Sequence, residues 1–237
     1  MKISIITFTL GTRTKYLNEC IKSIYDDWSS LDIELEQHIV FQGAQAKLTS
    51  MEHDQYKIIV HEWPKNIGIG NGLNEIIPKC TGDLLFKMDD DCKIVSSGFF
   101  IQAKWIHEQY PMAIFSPQPL GLVNNPMGPP GFKRSVIYNE SADQYYMLRH
   151  VNHVGGFARF WPKCYDFKFT GDLISGISGN EDGQLSTWAC QNKIDMFYVE
   201  TGMAVEHQEG LGQQIRYGEY FQDRSGDKET LNRWVIK

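Results

Sequence analysis

The chain has no apolar run approaching the roughly 18–20 residues that span a bilayer. The N-terminal stretch Ile3-Ser4-Ile5-Ile6-Thr7-Phe8-Thr9-Leu10 is too short for a span, and no small-residue cleavage site follows it, so it does not read as a secretory signal. Cysteine is sparse and lacks a pattern. Cys20, Cys80, Cys92, Cys164 and Cys190 are odd in number and widely spaced, with no C-x-x-C pair, which excludes a disulfide framework and suits reduced thiols in a cytoplasmic protein. In that setting the sequon Asn139-Glu140-Ser141 is a chance match. Positive charge is short as well: 23 Lys and Arg face 29 Asp and Glu, for a net charge of −6. That balance argues against a nucleic-acid partner held through its phosphates. An acidic protein that binds phosphate needs local help from a metal or a few placed cations. There is no internal repeat and no low-complexity linker, so 237 residues are read as one domain.

What is present is a strand-helix alternation in the first half. Ile3–Thr7 reads as a buried strand. Leu17, Cys20, Ile21, Ile24, Tyr25 and Trp28 recur at helical spacing and predict a helix from Thr14 to about Trp28. Ile33–Phe41 and Lys57–His61 read as strands, Gly70–Lys79 as a helix, and Asp83–Met88 as a buried strand after the turn Thr81-Gly82. A helix over Ser97–Tyr110, stopped by Pro111, and a strand over Met112–Ser116 follow. Such alternation predicts a mostly parallel sheet with helices on its faces, and ligands bind such sheets beyond the carboxyl ends of the strands. The second half is less regular. Pro117 to about Arg149 reads as loops and short strands, His150–Trp161 as extended, Asn180-Glu181-Asp182 as a helix start, and Met196–Glu200 as a strand. From Gly210 the chain is polar and glycine-rich and reads as a mobile tail or lid.

The most informative segment is Asp89-Asp90-Asp91, at the end of the buried strand. Three packed carboxylates repel one another, and a divalent cation is the usual neutraliser. Oxygen ligands suit a hard ion, Mn²⁺ or Mg²⁺, which commonly bridges protein carboxylates to substrate phosphates. Side chains two apart on extended backbone point the same way, so Asp89 and Asp91 are expected to share one site, with Asp90 pointing elsewhere. An EF-hand reading fails, because no glycine sits at the sixth loop position and Phe100 occupies the last. The second segment is Asn66-Ile67-Gly68-Ile69-Gly70-Asn71-Gly72-Leu73-Asn74, followed by Gly82-Asp83. A glycine-rich turn entering a helix can place backbone N–H groups near a phosphate, although a plain loop reads equally well from the glycines alone.

Taken together, these ordered motifs resemble the family-2 glycosyltransferases, and the resemblance covers most of the chain. Ile3–Phe8 is similar to that family's first strand. Asn66, Gly68, Asn74, Gly82 and Asp83 match its central segment, Asp89-Asp90-Asp91 its DxD motif, Gly155-Gly156-Phe157 its acceptor-side turn, and Glu181-Asp182 with Leu185 its ED motif. The resemblance implies the α/β GT-A fold of nucleotide-diphospho-sugar transferases: a single Rossmann-like, mostly parallel sheet with helices on both faces. Residues 1–116 would form the donor half, 117–209 the acceptor half and 210–237 the tail. It implies an inverting, metal-dependent transfer of a sugar from a nucleotide diphosphate donor to a hydroxyl of a glycan or lipid-linked acceptor, as in polysaccharide biosynthesis. Association with a membrane would come through the acceptor or a partner domain.

The same resemblance assigns roles. Asp91 is the expected direct metal ligand, His207 a third-site ligand, and Asp89 either a further ligand or a contact to ribose or metal water. Asp90 is expected near the donor sugar, and Thr7, Gln42, Asn66, Gly68 and Asn74 around the donor. Asp182 is the expected base for the acceptor hydroxyl, with Glu181 as the alternative; a helix start favours their ionised forms. Two positions depart from the family pattern: Gln42 stands where relatives carry an Asp near the nucleotide base, and Leu73 where an Arg is common. Arg216, Tyr217 and Arg224 in the tail would either close on the diphosphate or lie solvated. Trp105, Tyr145, Tyr146, Phe160 and Trp161 either stack on an acceptor sugar or pack the core. Rival readings are a sugar nucleotidyltransferase, whose signature Leu10-Gly11-Thr12-Arg13 only echoes, and a non-catalytic carbohydrate- or nucleotide-binding protein. A glycoside hydrolase is more distant, since it needs no nucleotide and no acid triplet.

Overall fold

The computed structural model describes residues 1–28, 33–43, 48, 52–53, 55–121, 133–170 and 181–208. The expected tail or lid, the Gly128-Pro129-Pro130-Gly131 stretch and Asn180 lie outside them. In chain order the elements are β1 (Lys2–Thr9), α1 (Thr14–Trp28), β2 (Glu34–Gln42), β3 (Glu52–His53), β4 (Tyr56–Trp63), α2 (Ile69–Ile76), β5 (Leu84–Met88) and β6 (Cys92–Ile94). Then come α3 (Phe99–Gln109), β7 (Ile114–Leu120), β8 (Arg134–Asn139), β9 (Gln144–His150), β10 (Ala158–Pro162), α4 (Glu181–Gln191) and β11 (Met196–His207). Pro78 tightens the end of α2 into a 3₁₀ turn over Ile77–Lys79, so the helix expected to run to Lys79 stops earlier.

The strands form one sheet in the order β3-β4-β2-β1-β5-β10-β7-β11-β9-β8, with β6 pairing β11. β4, β2, β1 and β5 are parallel; β10 is antiparallel between β5 and β7; β7 and β11 are parallel again. The main strands therefore run one way, and their carboxyl ends share one edge. Helices cover both faces. Leu17 and Ile21 of α1 cluster with Ile39 and Phe41 on one face of β2. On the other face Gly72 of α2 sits so close to Phe8 that a Cβ there would come within 2.5 Å of the ring. Asp27 of α1 accepts hydrogen bonds from Phe99 N and Phe100 N at 3.0 and 3.1 Å, so one helix caps the next.

The two faces of the β5–β10 pair differ sharply. Toward α3, Phe86 stacks on Phe160 at 4.0 Å between centroids, Phe160 on Phe115 at 4.8 Å, and Phe99 of α3 packs against Phe86 at 5.5 Å. On the opposite face Lys87 lies beside Arg159 in the strand register, both fully inside the protein. Phe160, Trp161 and Tyr146 are buried core residues; of the aromatics considered for acceptor stacking, Tyr145 is the exposed one.

The chain enters β5 over another buried charge, Glu36 on β2. Its carboxylate accepts from Ser4 Oγ at 2.6 Å and Thr81 Oγ1 at 2.6 Å and pairs with Lys2 at 3.0 Å. Gly82 is required here, since a Cβ would lie 2.6 Å from Ser4 N. Burial opposes ionisation of Glu36, but the bonds from Ser4, Thr81 and Lys2 outweigh it and hold the carboxyl well below the usual range. A depressed folded-state pKa contributes stability above the unfolded value of about 4.3 and loses it as pH falls. Glu36→Gln is therefore expected to cost about 1–3 kcal/mol at pH 7 in denaturant unfolding. The gap to wild type should narrow below about pH 4; a gap constant with pH would contradict this assignment.

Candidate active site

The carboxyl ends of β1, β2, β4, β5 and β11 deliver the candidate residues to one edge. Asp89 N donates to Phe157 O at 2.8 Å, and Cys92 N returns to Asp89 O at 3.1 Å. The acid triplet is thus a tight turn, and strand alternation does not apply to it. Asp89 is engaged by the buried Lys87 ammonium. Asp90 and Asp91 are the two acids that meet, bridged by one guanidinium: Arg13 Nη2 donates to Asp90 and Arg13 Nη1 to Asp91. The expectation that Asp89 and Asp91 share a site with Asp90 turned away is corrected on this point.

His207 closes the same corner. Antiparallel pairing of β6 with β11 sets His207 opposite Cys92, and Gln208 N donates to Asp91 O at 2.7 Å. His207 Nε2 then lies 3.4 Å from Asp91 Oδ2, with both side chains buried. Adjacent ligands of an ion with bonds of about 2.1 Å lie about 3 Å apart, so the two atoms fit one hard divalent cation. Cys92 offers a sulfur in the same cluster. Burial, reinforced by the Asp91 charge, pushes its free thiol well up; a bound cation would reverse that pull, so the donor set on offer is Asp91, Cys92 and His207.

Gln42 is buried at the end of β2, and its Oε1 accepts from Ile67 N at 2.9 Å. Asn66 Oδ1 accepts from Gly68 N at 2.8 Å, and Gly68, at φ +81°, makes the turn into α2. These three residues shape the loop after β4. Two others have structural work instead. Thr7 is fully buried, its hydroxyl accepting from Gln37 Nε2 at 3.3 Å beneath the edge. Asn74 spends both amide atoms on Phe169, donating to its O at 2.7 Å and accepting from its N at 2.9 Å. Both side chains thus have partners within the protein, and Asn74 ties α2 to the segment at Phe169.

A second group of candidate residues is built on α4. Glu181 is buried, 3.8 Å from Lys87 Nζ. A Cβ at Gly156 would lie 2.8 Å from Glu181 Oε1 and displace that carboxylate, and the Gly156 carbonyl accepts from Lys87. Burial raises the Glu181 pKa against the pull of Lys87 and Arg159. Asp182 differs: burial again opposes its charge, but the His153 side chain, the Arg159 charge and Gly183 N at 2.8 Å hold its carboxyl well below the usual range. Of the two acids, Asp182 is the more exposed, at 29% against 6% for Glu181. Lys87 stays charged because Asp89 and Glu181 outweigh the burial that opposes it. Arg159 has no hydrogen-bond partner for any guanidinium nitrogen among the described residues and lies over Trp161 at 5.4 Å. Its neighbours Glu181, Asp182 and Asp89 partly offset the cost of burying its charge. Arg13, Lys87, Arg159 and His153 were not among the sequence-derived site residues.

No family model matches the chain, and no curated protein matches it in sequence. Solved structures match its fold. The 1–349 fragment of S. aureus TarS superposes with a TM-score of 0.60 at 13% identity, covering 98% of this chain and 68% of that one. The same fragment in complex with UDP-GlcNAc gives 0.61 at 13%, covering 98% and 69%, and in complex with UDP 0.58 at 13%, covering 98% and 68%. TarS is a glycosyltransferase of the GT-A type, and at this identity the likeness is one of fold. The expected α/β glycosyltransferase fold therefore stands.

Lys87→Met would leave Asp89 and the buried Glu181 without their ammonium, at an expected cost of about 3–5 kcal/mol. Adding Glu181→Gln should recover part of that loss in urea unfolding. Strictly additive losses in the double variant would show that the two side chains are not coupled.

Proposed function

We propose that the protein is a metal-dependent, inverting glycosyltransferase that moves one sugar from a nucleoside-diphosphate donor to a hydroxyl of a glycan or lipid-linked acceptor. The observation that carries this reading is the meeting of Asp91 and His207, 3.4 Å apart, on the strand edge that also holds Asp182. In a glycosyltransferase fold that edge is where a nucleotide-sugar would lie.

Asp91 and His207 would hold Mn²⁺ or Mg²⁺, with Asp89 and Asp90 beside them. A bound ion would supply positive charge to the departing diphosphate. Arg13, already on Asp90 and Asp91, provides a second cation within reach of the same phosphates. The loop of Gln42, Asn66 and Gly68 would face the nucleotide. Asp182 would take the proton of the acceptor hydroxyl as its oxygen attacks the anomeric carbon and the nucleoside diphosphate leaves, a single displacement that inverts the centre. Glu181, buried on Lys87, positions the turn of α4 that carries Asp182. Among the described residues no helix is long and apolar enough to cross a membrane.

UDP is the first nucleotide to try, because TarS was captured with UDP and UDP-GlcNAc. Titration calorimetry of UDP, GDP, CDP and dTDP, with and without Mn²⁺, should show one nucleotide whose binding needs the ion. Asp91→Ala should weaken it by more than the roughly 10–100-fold typical of outer-shell changes. With the matching sugar nucleotides, Asp182→Asn should lower nucleoside diphosphate release by about 10²–10⁴-fold while nucleotide affinity holds. Metal-independent binding would defeat the Asp91 assignment, and pyrophosphate release from a nucleoside triphosphate would favour a nucleotidyltransferase.

A further inference from the structure

One guanidinium holds both acids at the corner of the acid turn. Arg13 donates through Nη1 to Asp91 and through Nη2 to Asp90. The oxygen it takes on Asp91 is Oδ2, the same atom that lies 3.4 Å from His207 Nε2. Of these four side chains Arg13 is the most exposed, at 15% against 3% for Asp90, 5% for Asp91 and 6% for His207. Among the described residues the guanidinium is therefore the solvent-facing member of the cluster. Its root is fixed by the fold. Gly11, at φ +73°, turns the chain out of β1, with its N–H on Thr9 Oγ1 at 3.0 Å. Arg13 O accepts from Leu17 N at 3.1 Å, and Gln208 Nε2, one residue past His207, donates to Tyr16 O at 3.1 Å. The start of α1 is thus tied to the end of β11, and any change of partner by Arg13 falls to its side chain.

This arrangement sets a condition on the proposed metal site. A guanidinium and a divalent ion on one carboxylate oxygen repel each other, and a buried corner screens that repulsion poorly. Arg13 therefore has to leave Asp91 before an ion is held by Asp91 and His207. Leaving costs a charge-assisted hydrogen bond unless another anion takes the guanidinium. A diphosphate offers oxygens that match its planar fork.

We propose that Arg13 is the resident counter-ion of the acid turn and a positioning residue that couples the metal to the donor. It holds the Asp91 oxygen against a divalent ion until the diphosphate of a nucleotide draws it away. Free metal then binds poorly, and metal and nucleotide are taken up together. The coupling is reciprocal, so the nucleotide favours the ion by the factor with which the ion favours the nucleotide. A metal bridging two phosphates would couple them by itself; Arg13 adds a penalty that is present when no nucleotide is there.

This role rests on Asp91 and His207 being metal ligands, and the test separates the two ideas. Mn²⁺ alone is titrated into the full chain, and the free ion is followed by electron paramagnetic resonance. Arg13→Gln should bind Mn²⁺ about tenfold more tightly than wild type, and adding Asp91→Asn should remove the gain. Lys15→Gln deletes an exposed positive charge two residues away and should change Mn²⁺ affinity by less than about twofold. With Mn²⁺ saturating, calorimetry of UDP, GDP, CDP and dTDP should show the opposite sign. There Arg13→Gln should weaken the nucleotide that binds by about tenfold, through the lost bond to phosphate. A merely structural role would move both affinities the same way. Arg13→Lys keeps the charge but cannot fork between two acids, so it serves if Arg13→Gln fails to fold; it should bind Mn²⁺ alone about threefold more tightly than wild type. Equal or weaker binding of Mn²⁺ alone by the Arg13 variants, or an equal gain in Lys15→Gln, would overturn the counter-ion role. The metal site would still stand if Asp91→Asn loses Mn²⁺-dependent nucleotide binding. Mn²⁺ binding indifferent to Asp91, with and without nucleotide, would overturn both.

Discussion

The ammonium of Lys87 sits on a strand with aromatic stacking on one face and charge on the other. It holds Asp89 of the acid turn, the Gly156 carbonyl and Glu181 of α4 at once. Burying a lone ammonium is prohibitive, so the strand tolerates it only while Asp89 and Glu181 are present, and Glu181 tolerates its own burial only while the ammonium is. This mutual dependence fixes the acid turn relative to the start of α4. Gly156 follows from the same constraint, because any side chain there would strike Glu181.

Much of the fold was legible because burial is written as periodicity. The apolar run of Ile3–Phe8 and the helical spacing of Leu17, Ile21 and Ile24 announce β1 and α1, and the structure places them within two residues at each end. Short elements were not. β6 spans Cys92–Ile94 and exists because β11 continues past Glu200 to His207 and pairs with it; no local pattern encodes a partner more than a hundred residues away. The hairpin β8–β9 lay in a stretch where proline and glycine masked the alternation of Arg134–Asn139.

The site was legible at its acids and obscure at its cations. Asp91, His207 and Asp182 follow from residue type, position at strand or helix ends, and family likeness. Thr7 and Asn74 mark the limit of residue type, because a polar residue near a motif looks the same whether it faces a ligand or a neighbouring strand. Lys87 and Arg159 carried a signal that went unused: a long cation inside an otherwise apolar strand needs a buried partner, and the nearest acids were those of the site. Arg13 had a weaker one, ending a Gly-Thr-Arg turn directly after β1.

The central claim is that Asp91 and His207 hold one divalent ion against a nucleoside diphosphate. Crystals grown with Mn²⁺ and the nucleotide selected by calorimetry test it most directly, through anomalous scattering at the manganese edge. The account predicts one peak within coordinating distance of both Asp91 and His207, touching the diphosphate, with Arg13 moved from Asp91 toward the phosphates. Bound nucleotide with no peak there, and Arg13 still bridging Asp90 and Asp91, would contradict it.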